Sequence, residues 1–322
     1  MLSDMQQNEG CTVLSFPQKG SSEPSGNADS RMSRSGPEPL VTGTTTEELV
    51  VSQGDYEDFR AFLQDVCGIL LGTGKEDLVT RRLAGVMRMY GISCLGEMMN
   101  HLRTGRNPRM QSCIIDAMTT NETFWFRDSA HFRLLGDRIL PAFEESGRQR
   151  MRIWSAACSS GQEPYSISMT VQDYQATNPT PRNTRVEIIA TDISTRVLAG
   201  ARKGIYSGID AARGLDPDQR ERHFTGRGDQ LVMRPEIRRR VSFRELNLTK
   251  GYELLGRFDV IFCRNVLIYF SNSQKQDILD RMSQVLNPGG YLFLGSSESL
   301  GSHSDRFEMI SESGGFGYRL RA

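Results

Sequence analysis

Long apolar runs, signal sequences and an excess of either charge are all missing from this sequence of 322 residues. No apolar run approaches the ~20 residues needed to cross a bilayer, and the start, MLSDMQQNEG, lacks the basic flank and apolar stretch of a signal peptide. The 39 Lys and Arg residues balance 39 Asp and Glu residues, so there is no net field to gather nucleic acid or anionic lipid. We therefore expect a cytoplasmic protein that neither inserts into a membrane nor binds nucleic acid.

Patterns of cysteine and histidine that bind metals are also missing. The six cysteines are widely scattered, form no CxxC pair and have no histidine nearby at metal-ligand spacing. Most lie among apolar residues, which predicts reduced, mainly structural thiols. We expect no metal site.

Residues 1–46 contain few aromatic residues and are rich in Ser, Gly, Glu, Gln and Pro, as in KGSSEPSGNADSRMSRSGPEP. Such a composition cannot bury enough apolar surface to offset the entropy lost on ordering. The segment is therefore predicted to be a disordered tail. Its composition leaves open whether the tail is regulatory or localising, or an inert extension.

Helical periodicity begins after this tail. Apolar residues recur at helical spacing in four stretches between about Phe59 and Met118, which predicts a small helical domain over 47–127. A further helix is predicted within a linker at 128–147. The second stretch carries three arginines off its apolar stripe, and these form either a solvated face or a docking surface for an acidic helix: Arg81, Arg82 and Arg88.

Short apolar strands then alternate with helical stretches: MRIWSAA, RVEIIATD, FDVIFCRN and GYLFLGS. This alternation is typical of βαβ units and a parallel sheet, so residues 148–322 are predicted to form an α/β domain. FEMI and GFGYRL, separated by SESG, predict a hairpin at the sheet edge. A small β-rich insertion, with strands joined by TGRGDQ, is predicted at about 205–243.

The loop after the first predicted strand reads SAACSSGQEPYS, at 155–166. Ligands of open parallel sheets lie beyond the carboxyl ends of the strands, and small residues such as Ala156 and Gly161 would let a ligand approach the backbone. The loop lacks the GxGxxG pattern that suits a pyrophosphate. Taken alone, its small residues indicate either a tight connection or a cofactor site.

Two carboxylates favour a nucleoside ligand that need not carry phosphate. Asp192 ends the second strand, where an acid either accepts hydrogen bonds from ribose hydroxyls or caps the next helix. Glu163 begins the helix after the first strand, where it would repel a pyrophosphate and attract an ammonium group, or simply stabilise the helix N-terminus. S-adenosylmethionine, which combines ribose, ammonium and sulfonium, satisfies both groups.

Five motifs carry a family resemblance: MTTNETFWFRD at 118–128, SAACSSGQEPYS at 155–166, ATDIS at 190–194, IFCRNVLIYF at 261–270 and LGSSESL at 294–300. In this order and spacing, over about 50–320, the chain resembles the chemotaxis receptor methyltransferase family, CheR, a class of S-adenosylmethionine-dependent protein-glutamate O-methyltransferases. The resemblance implies an α/β protein in which a small all-helical N-terminal domain precedes a Rossmann-like methyltransferase domain, here 148–322, with an inserted small β-subdomain.

The resemblance also implies roles for individual residues. Glu163 would meet the methionyl ammonium and Asp192 the ribose, while Arg127 and Tyr269 would act at the methyl acceptor. The aromatic residues of these motifs could equally pack between domains. The predicted cofactor-binding residues comprise motif positions and small residues of the loop after the first strand. They are Asn121, Thr123, Arg127, Ala156, Gly161, Glu163, Asp192, Asn247, Leu248, Arg264, Asn265 and Val266.

The implied substrate is a Glu-rich helix in the cytoplasmic bundle of a membrane chemoreceptor, with S-adenosylhomocysteine as the cofactor product. This expectation favours the docking interpretation of Arg81, Arg82 and Arg88, and family precedent favours a monomer. TGRGDQ is a few residues shorter than the loop with which some family members hold a receptor C-terminal pentapeptide, so we expect no dependence on that tether.

Other functions fit less well. A nicotinamide-dependent oxidoreductase would need a fuller glycine pattern, and a nucleic-acid methyltransferase would bring a basic surface and, for amino-group targets, a D/N-P-P-Y/F motif. The alternative that stays open is a catalytically inactive S-adenosylmethionine-binding signalling module.

Overall fold

The computed structural model describes residues 51–105, 107–179, 184–227, 230–312 and 314–321. The predicted tail at 1–46 lies outside these ranges. Within them, every helix is too short or too polar to cross a membrane.

The described chain begins with the four predicted helices, α1 (Gln53–Cys67), α2 (Glu76–Tyr90), α3 (Leu95–Gly105) and α4 (Pro108–Met118). The side chains of Ser52 and Asn107 accept backbone N–H groups at the starts of α1 and α4, as N-caps do. Gly68 and Gly91 follow α1 and α2 with φ of 75° and 66°, which glycine adopts without steric cost. The apolar faces meet in one core, which includes Phe59, Leu63, Leu83, Met98 and Ile114.

A second, larger unit contains the remaining elements. Its helices are α5 (Ala130–Leu134), continued through a π-helical turn (Leu135–Ile139) into α6 (Leu140–Glu145), then α7 (Gln162–Thr177), α8 (Thr195–Lys203), α9 (Gly208–Ala212), α10 (Pro217–His223), α11 (Pro235–Arg238) and α12 (Asn272–Val285). Its strands are β1 (Arg150–Ala156), β2 (Arg185–Asp192), β3 (Ile205–Ser207), β4 (Phe224–Arg227), β5 (Gln230–Met233), β6 (Val241–Glu245), β7 (Phe258–Cys263), β8 (Leu286–Leu294), β9 (Phe307–Glu312) and β10 (Gly315–Leu320).

The large sheet has the strand order β6-β2-β1-β7-β8-β10-β9. Its first five strands are parallel, and β10 runs antiparallel to both β8 and β9. All six residues of β7 are buried, as expected of a central strand covered by helices on both faces. The predicted α/β fold, including the hairpin at the sheet edge, is confirmed.

The insertion forms a separate three-stranded sheet with the order β3-β5-β4. β6 does not belong to it, because Val241 pairs with Ile188 of β2 in the large sheet. The predicted boundary at 243 therefore falls inside a strand of the large sheet, and the small sheet itself ends at Met233. Residues 228–229 of TGRGDQ lie outside the described residues.

The helical domain rests on the carboxyl edge of the large sheet, where hydrogen bonds after three different strands join the two units. Asp116 of α4 accepts from Ser194 Oγ at 2.6 Å, after β2. The Asn247 amide, after β6, donates to the Val66 carbonyl at 2.7 Å. After β7, the Tyr269 carbonyl accepts from the Leu70 N–H at 2.8 Å. The domain interface therefore coincides with the edge at which parallel sheets bind ligands.

The buried His131 of α5 gives the fold a predicted acid sensitivity. Its ring lies 5.2 Å from the Phe293 ring, and burial together with the nearby Arg264 lowers its pKa to about 4. Between pH ~6.5 and pH ~4 the unfolded histidine binds a proton that the folded one does not, so the free energy of unfolding falls as pH falls. At about 1.4 kcal/mol per pKa unit, this loss approaches about 3 kcal/mol.

We expect His131→Phe to remove most of this loss, as measured by urea unfolding at about pH 7 and about pH 5. His101, whose side chain is 56% exposed, is the matched control, and His101→Gln should leave the pH dependence of unfolding unchanged. An equal loss of stability in wild type and His131→Phe would show that other groups cause it.

Candidate functional site

A cleft with about 1040 Å³ of empty space, part of it open to solvent, lies between the helical domain and the carboxyl edge of the large sheet. Its walls are the loops after β1, β2, β6 and β7 and the connecting segment (residues 119–128) that joins α4 to α5. Most of the predicted site residues line it: Asn121, Thr123, Arg127, Glu163, Asp192, Asn247, Leu248, Arg264, Asn265, Val266 and Tyr269.

Ala156 and Gly161 do not line this cleft. Ala156 is buried in β1, where it pairs with Cys263 of β7. Gly161 has a φ of 93°, and a Cβ there would lie 2.9 Å from the Ala201 Cβ and 3.1 Å from the Tyr206 hydroxyl. The glycine therefore permits tight packing of the start of α7, so the tight-connection interpretation describes it better than ligand contact.

The small residues that do line the cleft are Ala157, Cys158 and Ser159. Ala157 and Ser159 have φ of 57° and 51°, in the left-handed region that non-glycine residues rarely adopt. The loop after β1 therefore turns sharply where it lines the cleft. Burial raises the pKa of the Cys158 thiol well above its usual value, which makes this thiol unreactive.

Arg264, after β7, is a buried cation at the centre of an ion cluster. Its side chain is only 2% exposed, and it donates to Glu163 Oε2 at 2.9 Å and to Asp128 Oδ2 at 2.6 Å. It also donates to the Arg127 carbonyl at 2.6 Å. Ser155 Oγ donates to the other Glu163 oxygen at 2.7 Å. Burial raises the pKa of Glu163, and Arg264 and Ser155 oppose that rise.

Asp192 ends β2 and holds the first turns of two loops. One carboxylate oxygen accepts the Ser159 N–H at 2.8 Å and the other the Ser194 N–H at 2.9 Å. Burial raises its pKa, while these N–H groups lower it. A carboxylate oxygen can accept more than one hydrogen bond, so Asp192 serves as a loop support and keeps capacity for a ligand hydroxyl.

Apolar side chains also line the cleft. They include Leu248, Val266, Ile193 and Phe270. Asn247 lies beside them, but its amide donates to Val66 and its oxygen accepts from the N–H and hydroxyl of Thr249. Asn247 therefore fixes its loop against α1 as well as lining the cleft.

The two predicted catalytic side chains lie at the same cleft. Arg127 donates one hydrogen bond to the Glu122 carbonyl at 3.2 Å, and its guanidinium lies 5.6 Å from the centre of the Phe124 ring. Tyr269 is in the 3-10 turn Leu267–Tyr269 and is half-buried. A cation and a phenol thus both line this cleft.

The three predicted docking arginines divide into two groups. Arg81 and Arg88 are exposed on α2, and each donates Nε to a carbonyl of its own helix. Arg82 instead donates to the Met118 carbonyl at 2.5 Å and to Thr120 Oγ1 at 2.9 Å. Arg82 therefore supports the connecting segment, which corrects its assignment to a docking surface.

The sequence does not predict Asp128 as a site residue, although it pairs with Arg264. The only local signal is its place directly after Arg127 in MTTNETFWFRD. Its φ of 53° and its distance of 136 positions from Arg264 could not be inferred from that motif. Among the described residues, no cluster of three His, Cys, Asp or Glu side chains is arranged to hold a metal ion.

Two family models match the chain. "CheR methyltransferase, SAM binding domain" matches residues 121–316, and "CheR methyltransferase, all-alpha domain" matches residues 54–119. The two matches meet at the connecting segment, where the observed helical and α/β units also meet. They support S-adenosylmethionine as the cofactor.

Several curated proteins similar to the chain are named chemotaxis protein methyltransferases. "Chemotaxis protein methyltransferase 1" of Pseudomonas aeruginosa is 47% identical over 85% of this chain and 100% of its own length. "Chemotaxis protein methyltransferase Cher2" of Pseudomonas putida is 45% identical over 83% of this chain and 98% of its own length. "Chemotaxis protein methyltransferase 1" of Vibrio cholerae is 45% identical over 85% of this chain and 99% of its own length. These names support an enzyme and give no support to the inactive binding module. The chain belongs to the CheR methyltransferase family.

Proposed function

We propose that this protein transfers the methyl group of S-adenosylmethionine to glutamate side chains of chemoreceptors, forming methyl esters. The observation that carries the proposal is a pair of carboxylates that line one cleft at the carboxyl edge of the sheet: Asp192, which is buried, and Glu163, whose side chain is 12% exposed. The names of the similar chemotaxis methyltransferases supply the substrate class.

The residues of the cleft fit this cofactor. Glu163 lines the cleft, and beside its hydrogen bonds from Arg264 and Ser155 its carboxylate can accept one from a ligand ammonium group. Asp192 is placed to accept ribose hydroxyls. The apolar wall near Leu248 and Val266 suits a base ring.

When bound, S-adenosylmethionine supplies an electrophilic methyl group attached to a sulfonium. The acceptor carboxylate is ionised at neutral pH, since an unperturbed glutamate has a pKa of about 4.3, so the chain needs no general base. Arg127 and Tyr269 orient the incoming carboxylate, and a guanidinium with five donors retains some for it after contacting Glu122. The cleft walls remove water from the nucleophile, which favours transfer.

The substrate is a Glu-rich helix from the cytoplasmic part of a chemoreceptor. Arg81 and Arg88, exposed on α2, supply complementary charge for it. We further propose that the protein acts as a cytoplasmic monomer, without membrane insertion and without the receptor pentapeptide tether. The short TGRGDQ sequence, which runs from β4 into β5, supports the absence of a tether.

Isosteric variants test the two carboxylate roles. We expect Asp192→Asn to weaken binding of both S-adenosylhomocysteine and methylthioadenosine by about tenfold or more, because both contain the ribose and a hydrogen bond to a charged group contributes about 1.5–3 kcal/mol. Glu163→Gln should weaken S-adenosylhomocysteine alone, because methylthioadenosine has no ammonium group. Isothermal titration calorimetry measures both.

Glu187→Gln is the matched control, since Glu187 pairs with Arg150 at the other end of β2, away from the cleft. It should bind both ligands as the wild type does. An equal loss of methylthioadenosine affinity in Glu163→Gln would contradict the ammonium role. Failure of the wild type to bind S-adenosylhomocysteine would overturn the proposed function as a whole.

Charge reversal tests the docking surface. We expect Arg81→Glu and Arg88→Glu to slow receptor methylation strongly at low salt and weakly at high salt, because screening shortens the reach of exposed charges to ~10 Å at 0.1 M salt. The measurement is transfer of labelled methyl groups to receptor-containing membranes at several salt concentrations.

Two further variants serve as controls for the charge-reversal test. Lys203→Glu, which makes the same charge change at an exposed position of α8, should leave the rate unchanged. Arg82→Glu should reduce the rate at every salt concentration, because Arg82 supports the connecting segment. Salt-independent losses for Arg81→Glu and Arg88→Glu would count against docking.

The tether is tested with a receptor C-terminal pentapeptide. We expect no detectable calorimetric binding of the peptide, and the same methylation rate for a receptor with and without its last five residues. Binding of the peptide, or a slower rate for the truncated receptor, would show that the tether is used.

A further inference from the structure

Glu298 is a buried carboxylate outside the cleft that receives an unusual number of backbone hydrogen bonds. It follows β8 in LGSSESL and is 8% exposed. Oε2 accepts from Asn265 N at 2.8 Å and from Gly295 N at 2.7 Å. Oε1 accepts from Val266 N at 2.9 Å, Leu267 N at 2.7 Å and, more weakly, Ile268 N at 3.3 Å.

Four of these donors are the consecutive N–H groups of residues 265–268, directly after β7. Successive N–H groups that converge on one point form an anion-binding nest, as in many phosphate sites. Here the anion is the chain's own carboxylate. The salt bridges of the described residues do not include Glu298, so backbone N–H groups are what compensate its charge there.

The segment held in this way forms part of the cleft. Asn265 and Val266 line it directly, and the 3-10 turn that carries Tyr269 begins at Leu267. Asn265 has a φ of 57°, a conformation that costs about 1–3 kcal/mol unless its surroundings enforce it. The hydrogen bond from the Asn265 N–H to Glu298 supplies such enforcement.

Gly295 makes the carboxylate's position possible. A Cβ on Gly295 would lie 2.7 Å from Glu298 Oε2, 2.8 Å from the Asn265 Nδ2 and 2.9 Å from the Asn265 N. Any larger residue would therefore displace Glu298, Asn265 or both. Two residues of the loop after β8 thus fix the loop after β7.

We propose that Glu298 is a positioning residue for cofactor binding. Without touching the cofactor, its carboxylate holds residues 265–268 in the conformation that shapes one wall of the cleft. This inference rests on the proposed function, because it takes that wall to be part of the S-adenosylmethionine site.

Glu298→Gln tests the proposal with almost no change in volume. One carboxylate oxygen becomes an NH2 group, which cannot accept a hydrogen bond. Because backbone N–H groups point at both oxygens of Glu298, the NH2 group would face N–H donors in either orientation of the amide. We expect affinity for S-adenosylhomocysteine to fall by about tenfold or more, because a loop that has lost at least two of these hydrogen bonds must be reordered when the ligand binds. Calorimetry well below the melting temperature of the variant measures it.

Asp259→Asn is the matched control, because it changes a buried carboxylate at the opposite end of the same strand, β7. Asp259 is 5% exposed and accepts from Arg148, Asn287 and the Arg152 N–H. Its replacement should lower the melting temperature yet leave the dissociation constant of S-adenosylhomocysteine within about twofold. If the role of Glu298 were purely structural, Glu298→Gln would likewise lower the melting temperature and leave the dissociation constant unchanged.

Gly295→Ala provides a second variant that retains the carboxylate but displaces it, and it should weaken binding in the same way. Wild-type affinity in Glu298→Gln, or equal weakening in Asp259→Asn, would overturn the proposal. A wild type that fails to bind would instead reject the proposed cofactor site, so the two failures are distinguishable. If Glu298→Gln does not fold, Gly295→Ala decides the question by the same comparison.

Discussion

The geometry of the site depends on one buried cation, the guanidinium of Arg264. A charge that is 2% exposed must be paired and hydrogen-bonded, or the protein would not tolerate its desolvation. Its partners come from two other segments: Glu163 at the start of α7, and both Asp128 and the Arg127 carbonyl in the connecting segment. Satisfying Arg264 therefore brings the loop after β1, the loop after β7 and the connecting segment to one place.

The insertion also supports the connecting segment. Trp125 is fully buried, with its ring 4.7 Å from Tyr206 and 5.2 Å from Phe224, and its indole N–H donates to the Asp210 carbonyl at 2.6 Å. A Cβ on Gly214 would lie only 2.1 Å from the Trp125 carbonyl oxygen. The small sheet is thus packed against the segment that lines the cofactor cleft, so its packing contributes to the shape of that cleft.

The sequence predicts those parts of the structure that are encoded locally. The apolar run RVEIIATD, bounded by polar residues, predicts β2 at the positions observed, and the acid at its end lies in the cleft because strand ends of a parallel sheet share an edge. Contacts between residues that are far apart in the sequence leave no local sequence pattern. Arg82 contacts residues 36 and 38 positions away, and a pattern of helical spacing cannot distinguish that arginine from an exposed one. Gly161 is likewise needed because Ala201 and Tyr206 pack closely against it. A loop rich in small residues is therefore compatible with either ligand binding or tight packing of the chain.

Backbone strain in the described chain is concentrated around the cleft. The non-glycine residues with positive φ are Phe126, Asp128, Ala157, Ser159 and Asn265, all in the connecting segment or in the loops after β1 and β7. Four of them are held by a side chain of another segment, through Ser166, Arg264, Asp192 and Glu298. Because such conformations persist only where the surroundings enforce them, the cleft is shaped by these supports before any ligand arrives. Asp192 is both such a support and a proposed ligand contact, so its substitution alters the shape of the site as well as one of its contacts.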